Sequence, residues 1–146
     1  MSQYFEMGDA TLWNPSNGAS RMFRRQVAVF EAELNLPSGI GSMENDECQI
    51  HPATFETFVN ALLVQHRRTS HAIVLALCEG FTATVLVLAE RAGVTVDWVH
   101  LGAASDAPLE DVQVSAVTGL SVLAEGGAWS AGLREKAREL GRRMPC

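Results

Sequence analysis

Lysine is almost absent from this chain, which sets Lys136 alone against ten arginines in 146 residues. No segment concentrates basic side chains, and 17 acidic against 11 basic residues leave a net charge of −6 with histidine neutral. A phosphate-tracking surface is therefore missing, and nucleic-acid binding is disfavoured as the main activity. The arginine bias, accompanied by many Ala, Val and Gly, reads as the composition of a GC-rich genome rather than as guanidinium chemistry. Paired cysteines are missing too: Cys48, Cys78 and Cys146 are odd in number, widely spaced, and form no Cys-x-x-Cys. That argues against a disulfide framework and a zinc ribbon, and fits a reducing, cytoplasmic compartment. The opening residues Met-Ser-Gln-Tyr-Phe-Glu are acidic where a signal peptide is basic, and no apolar run follows them, so no secretion signal is expected.

Charge of either sign is also sparse, at 19% of residues against 47% hydrophobic, which supplies a real core and argues against disorder. The length fits a single domain. Residues 1–13 show no helical period, and Asn14-Pro15-Ser16-Asn17-Gly18 is dense in turn formers. From there Ala19, Phe23, Val27, Phe30 and Leu34 recur every three or four residues, an amphipathic helix capped by Asn14, Ser16 or Asn17. Leu36-Pro37-Ser38-Gly39-Ile40-Gly41 stops it. Glu44, Asp46 and Glu47 then read as a solvated acidic turn, because the alternating ligands, central glycine and closing Glu of a calcium loop are lacking.

A second helix starts at His51-Pro52, carries the stripe Phe55, Phe58, Val59, Leu62 and His66, and breaks near Arg67-Arg68-Thr69-Ser70. Residues 72–89 are the most apolar part of the chain, at the lower edge of a bilayer-spanning length. Glu79 at their centre and the amphipathic segments around them favour the central core helix of a soluble bundle, buried on most sides. Gly93 ends it, and Val94-Thr95-Val96-Asp97-Trp98 alternates as a short strand or extended segment does. Such a strand needs a partner near residues 3–7 or 47–51, or in a second subunit. Residues 102–106 read as a linker and 109–123 as a helix, although Val112-Gln113-Val114-Ser115 also suits a strand. After Gly126-Gly127, the spacing of Trp129, Leu133, Ala137, Leu140 and Met144 predicts a last amphipathic helix.

Three segments, Thr11-Leu-Trp-Asn-Pro-Ser-Asn-Gly-Ala-Ser-Arg-Met-Phe23, Leu36-Pro-Ser-Gly-Ile-Gly41 and His51-Pro-Ala-Thr-Phe-Glu-Thr-Phe58, make residues 1–100 resemble a family of small actinobacterial, streptomycete-type proteins of unknown function. The resemblance implies a bacterial, cytoplasmic protein and carries over no catalytic residue. The Ala76-Leu77-Cys78 and Ala89-Glu90-Arg91-Ala92-Gly93 segments are superficially similar to organic-hydroperoxide reductases, but the second reactive cysteine and the strands of those enzymes are lacking.

The sharpest single residue is Glu79, since a carboxylate within an apolar helix is costly unless it is paired, neutralised or on an exposed stripe. As chemistry it is a general acid or base, with His51 or His66 reaching it from the second helix. As structure it pairs with Arg24 or Arg25 of the first helix, or lies on the edge formed by Glu79, Thr82, Leu86 and Glu90. No two histidines stand at metal-ligand spacing on one helix, and convergence of Glu56, Glu79 and His51 would be required, so no metal or other cofactor is expected. Gly-x-Ser-x-Gly is absent, Cys78 has no basic neighbour in sequence, and Leu36–Gly41 lacks the Lys-Ser/Thr ending of a phosphate loop. His51 also suits a helix-start cap. Trp13, Trp98 and Trp129 are core plugs or partner-surface anchors, and Trp13, Arg24, Arg25 and Trp98 are the interaction candidates.

The expected fold is therefore mainly α: four or five helices bundled around a central apolar helix at residues 70–92, with short extended segments. It forms a single helical domain over residues 1–146, with residues 102–146 a candidate for a loosely packed C-terminal extension. The expected function is that of a non-enzymatic cytoplasmic protein-interaction or regulatory protein, such as an immunity or accessory factor. It would bind a protein partner or a second copy of itself, not nucleic acid or membrane. The alternative is a small-molecule-binding protein or enzyme that uses Glu79 with His51 or His66.

Overall fold

In a computed structural model, residues 2–98 and 128–146 are described. The turn-dense start and the acidic loop each close a β-hairpin. Strands β1 (Tyr4–Met7) and β2 (Ala10–Trp13) meet through Gly8, whose φ of 60° is open to glycine at no steric cost. Strands β3 (Ile40–Glu44) and β4 (Glu47–Ile50) meet through Asn45 and Asp46, at φ 51° and 66°. Two consecutive positive φ values define the tight turn whose twist matches paired strands, and Asn and Asp tolerate it best after glycine. The sheet order is β2-β1-β4-β3, with β1 and β4 parallel and the outer pairs antiparallel. Phe5 and Cys48 are register partners at its centre.

Between the hairpins runs α1 (Asn17–Leu34), and after them α2 (Pro52–Arg68), α3 (Ala72–Ala92) and α4 (Ala128–Gly141). The described fold is thus mainly α: four helices, one of them long and apolar, with short β segments. Ser16 is the N-cap of α1, its hydroxyl accepting from Ala19 N at 3.4 Å. The buried stripe is Ser20, Phe23, Val27 and Phe30, while Ala19 is exposed. His51 occupies the N-cap position of α2, but its side chain makes no capping bond, so the cap role expected of it is not realised.

Aromatic rings tie the layers together. Phe5 stacks on Trp13 at 5.3 Å, Phe23 meets both edge-on, and Phe81 of α3 lies 5.6 Å from Phe23 and 4.3 Å from Phe30. Each such pair contributes about 0.5–1.5 kcal/mol beyond the area it buries. The column fixes α1 between the sheet and α3.

Residues 94–98, which suited a short strand or an extended segment, do not form the strand. Their backbone groups are satisfied by α2 side chains instead: Thr95 N donates to Glu56 Oε2 (3.1 Å), Asn60 Nδ2 donates to Thr95 O (2.9 Å), and Asp97 N donates to Asn60 Oδ1 (2.9 Å). The segments expected to pair with them are β1 and β4, and these pair with each other. The burial on most sides expected of α3 holds only from Phe81 to Ala89. The expected linker at 102–106 and the helix or strand at 109–123 lie outside the described residues, as does the side chain of Trp129.

Two of the three motif segments, residues 36–41 and 51–58, turn out to be neighbours. Ser38 N and Oγ both donate to Glu31 Oε1 of α1, and Gly39 O accepts from His51 N at 2.8 Å. Gly39 has φ 76°, and a Cβ there would lie 2.6 Å from Phe55 N and 2.9 Å from His51 O, so the loop after α1 seats directly on the first turn of α2. At the other end of the molecule, Arg91 of α3 donates to Leu12 O (2.6 Å), Gly141 O (3.0 Å) and Met144 O (2.8 Å). Asn14 N donates to Pro145 O, which fastens the tail after α4 to the end of β2.

Candidate functional site

Glu79 is not a buried acid. Its side chain is 45% exposed, and its nearest cation is Lys136 of α4, with Nζ 3.8 Å from Oε1. The partner is therefore a residue of the last helix rather than Arg24 or Arg25. A pair this open and this long contributes little to stability. His66, in the last turns of α2, feels the Glu79 charge, but burial outweighs it and holds the imidazole below its ordinary pKa, hence neutral at pH 7.

His51 is exposed at the opposite end of the same helix, about 22 Å from His66 at 1.5 Å per residue. The two histidines do not converge on one acid. Glu56 is engaged by Thr95 N, and among the described residues no three His, Cys, Asp or Glu side chains gather as a metal-holding group.

The space beside His66 is small. A cavity lined by Phe30, Leu62, His66, Cys78 and Thr82 measures about 10 Å³, which is room for one water molecule at most. Burial and the charge of Glu33 push the Cys78 thiol up, the opposite of nucleophile activation. Cys48, buried in the sheet, is pushed up to about 11 by burial against the opposing pull of Arg24. Arg24 is half-buried over that strand and Arg25 is exposed. Trp13, 7% exposed and stacked on Phe5, is a core plug.

Trp98 has a different setting. The segment that Asn60 and Glu56 pin to α2 delivers its ring under Arg134, whose Cζ stands 3.9 Å from the ring centroid, a cation–π contact. Around them lies an open groove of about 350 Å³, with an apolar base of Leu86, Val94, Val96 and Ala137 and a charged rim of Glu90, Arg134 and Arg138.

The first half of α3 is the feature the sequence reading missed. Ile73 is 64% and Leu77 73% exposed, and Ala72, Ala76 and Gly80 are exposed beside them. Residues 73, 76, 77 and 80 follow the three-and-four spacing of one helical face. By length and composition α3 is long enough and apolar enough to cross a bilayer, yet its second half is core of this fold. The available signal was the low amphipathicity of the run. A helix apolar on all sides needs neighbours on all sides, and only residues 81–89 have them.

The whole chain, residues 1–146, matches the model of a family described as a family of unknown function (DUF6086). No curated protein and no solved structure matches it.

Proposed function

The chain belongs to that family, and because membership brings no activity with it, we propose that it is a non-enzymatic protein-interaction or regulatory protein of the bacterial cytoplasm, an immunity or accessory factor by type. The observation that carries this reading is the exposed apolar face of Ile73 and Leu77 on the most hydrophobic helix of the chain. Contiguous exposed apolar surface on a soluble fold marks interaction sites, and covering each of these side chains is worth about 1–2 kcal/mol. The small cavity at His66 and the open, paired Glu79 give a substrate no place beside the one carboxylate that sequence singled out. An actinobacterial origin belongs to the same reading and rests on the arginine-rich composition and the motif resemblance.

The test is native mass spectrometry of the protein purified gently from its host, in wild-type form and as an Ile73→Glu, Leu77→Glu double variant. Both positions are exposed, so the variant should fold, which circular dichroism checks. The reading expects a second polypeptide in the wild-type assembly and its loss in the variant. Bare monomers in both preparations would overturn it.

A second reading, a small-molecule-binding protein, is favoured by the groove at Trp98, whose 350 Å³ is of ligand-pocket size. A retained small mass that disappears on denaturation, and is lost in an Arg134→Ala variant, would support it over the first.

A further inference from the structure

The sheet has two edges, and the fold treats them differently. The β2 edge is closed: Leu12 O accepts from Arg91, and Asn14 N, just beyond the strand, donates to Pro145 O of the tail. The β3 edge is open. Glu44 and Glu47 flank the two-residue turn and are register partners, so they form the bonded pair of that hairpin. Bonded and non-bonded pairs alternate along an antiparallel ladder, which turns the backbone N–H and C=O of Met43 outwards, away from β4. Among the described residues no group meets them.

We infer that β3 is a docking edge for an extended segment of another protein, in which basic side chains alternate with apolar ones. This surface belongs to a different element from the exposed α3 face and does not depend on it.

The unpaired backbone supplies the docking mode, since an edge strand is a template for one more strand. Charge decides what that strand carries. No Lys or Arg occurs in residues 1–20 or 35–66, which include all four strands, whereas the strands and their turns hold Glu6, Asp9, Glu44, Asp46 and Glu47. The ladders align Tyr4, Glu47 and Glu44 in one row across β1, β4 and β3, all three exposed. Glu47 and Glu44 are thus like charges set directly opposite each other, an arrangement that costs stability. The next place in the row lies beyond the β3 edge, where a cation would stand beside Glu44 and relieve the repulsion.

The other face of β3 selects the reverse. Ile40 and Met43 are half-buried against the core there, and the charge of Arg24 reaches Cys48, the register partner of Met43, from the same side. A basic side chain would be repelled on that face, whereas an apolar one would extend the core. Successive side chains of a strand point to opposite faces, so the two requirements fall on alternate residues. A second copy of β3 is the poorer occupant, because it would bring Glu44 and Glu47 to an edge that already carries them.

The experiment is titration of the isotope-labelled full chain with a short peptide of alternating Lys and Val, followed by amide chemical shifts and hydrogen exchange. Shifts centred on Gly41 to Glu44 are expected at millimolar peptide or below, with slower exchange of the Met43 amide. The same peptide methylated at every backbone nitrogen keeps its charge but loses its donors, and should not bind. Glu44→Gln should weaken binding about threefold. Exchanging both acids, Glu44→Lys with Glu47→Lys, should abolish it and confer binding of a Glu and Val peptide instead. Ile73→Glu with Leu77→Glu should leave it unchanged.

Equal binding of the methylated peptide would overturn strand docking, and equal binding of the Lys and Glu peptides by the wild type would overturn the basic partner. Absence of binding at millimolar peptide overturns the inference outright. So does a Met43 amide that stays unprotected at saturation, or one whose protection grows with protein concentration alone, the mark of a second copy.

Discussion

Replacing Arg91 with methionine should destabilise the fold by about 3 kcal/mol, because one guanidinium makes three bonds that hold two separate pieces of chain to α3. It donates to Leu12 O at the end of the sheet and to Gly141 O and Met144 O at the end of α4. Charge-assisted bonds of this kind contribute about 1.5–3 kcal/mol each when fully desolvated. Arg91 is only half-buried and water can re-solvate the released carbonyls, so about 1 kcal/mol per bond is the appropriate figure. Methionine keeps the apolar stem and its packing, which confines the loss to the polar head.

Urea unfolding followed by circular dichroism should show a lower midpoint at unchanged slope, and the melting temperature should fall by roughly 10 °C. Arg91→Lys keeps the charge but reaches fewer carbonyls, and should lose about half as much. Hydrogen exchange localises the effect: the amides of Arg143, Met144 and Asn14, which bond to Leu140 O and Pro145 O around the clamp, should exchange faster, while those of β4 should not. An Arg91→Met protein within about 0.5 kcal/mol of wild type, the range of an ordinary surface change, would refute the clamp.

Gly39→Ala should cost at least about 3 kcal/mol by chemical denaturation, since a left-handed alanine costs about 1–2 kcal/mol and its Cβ also drives the loop off Phe55 N and His51 O. Gly8→Ala, with φ also positive but open space around it, is the control and should lose only about 1 kcal/mol. Asn60→Ala removes the bonds to Thr95 O and Asp97 N, and should cost about 1–2 kcal/mol and deprotect the Asp97 amide in hydrogen exchange. His66 is held below its ordinary pKa of 6.5, so the unfolded chain takes up its proton first on acidification. Its contribution to stability is therefore complete above pH 6.5 and is lost as the pH falls towards the folded value. His66→Gln should flatten that part of the stability–pH curve, and an unchanged slope would remove His66 as its source.

The helices were legible because their spacing repeats over many residues, and Pro52, Gly93 and Ser16 punctuate them as their chemistry requires. The sheet was not. Each strand is four or five residues long, too short for a period of two to stand out, and β1 and β4 find each other across forty-odd residues of intervening chain. Two local signals were nonetheless present. Gly8-Asp9 and Asn45-Asp46 are hairpin dipeptides, and the latter was read for its charge rather than for its tolerance of positive φ. Residues 94–98 show the opposite case, a pattern that suited a strand or an extended segment and did not form the strand. Their alternation is that of a strand, but whether an extended segment joins a ladder depends on what offers it hydrogen bonds, and here Asn60 and Glu56 do so from a helix.

The candidate site shows the same dependence on context within one helix. Nothing in Ala72–Ala92 distinguishes its first half from its second by hydrophobicity, and Glu79 near the middle drew attention as a costly buried charge. In the fold, Phe23 and Phe30 of α1 close over Phe81, while Leu133 and Ala137 of α4 are buried in the same core. That covering ends near Gly80. Glu79 therefore stands at a boundary, with water and Lys136 on one side and the core on the other, and it carries no unusual burden. The energetic cost that sequence assigned to one carboxylate belongs instead to Ile73 and Leu77, apolar side chains left in water. Charge on an apolar helix was the conspicuous anomaly, but the one the fold leaves in place is the exposed apolar surface of Ile73 and Leu77.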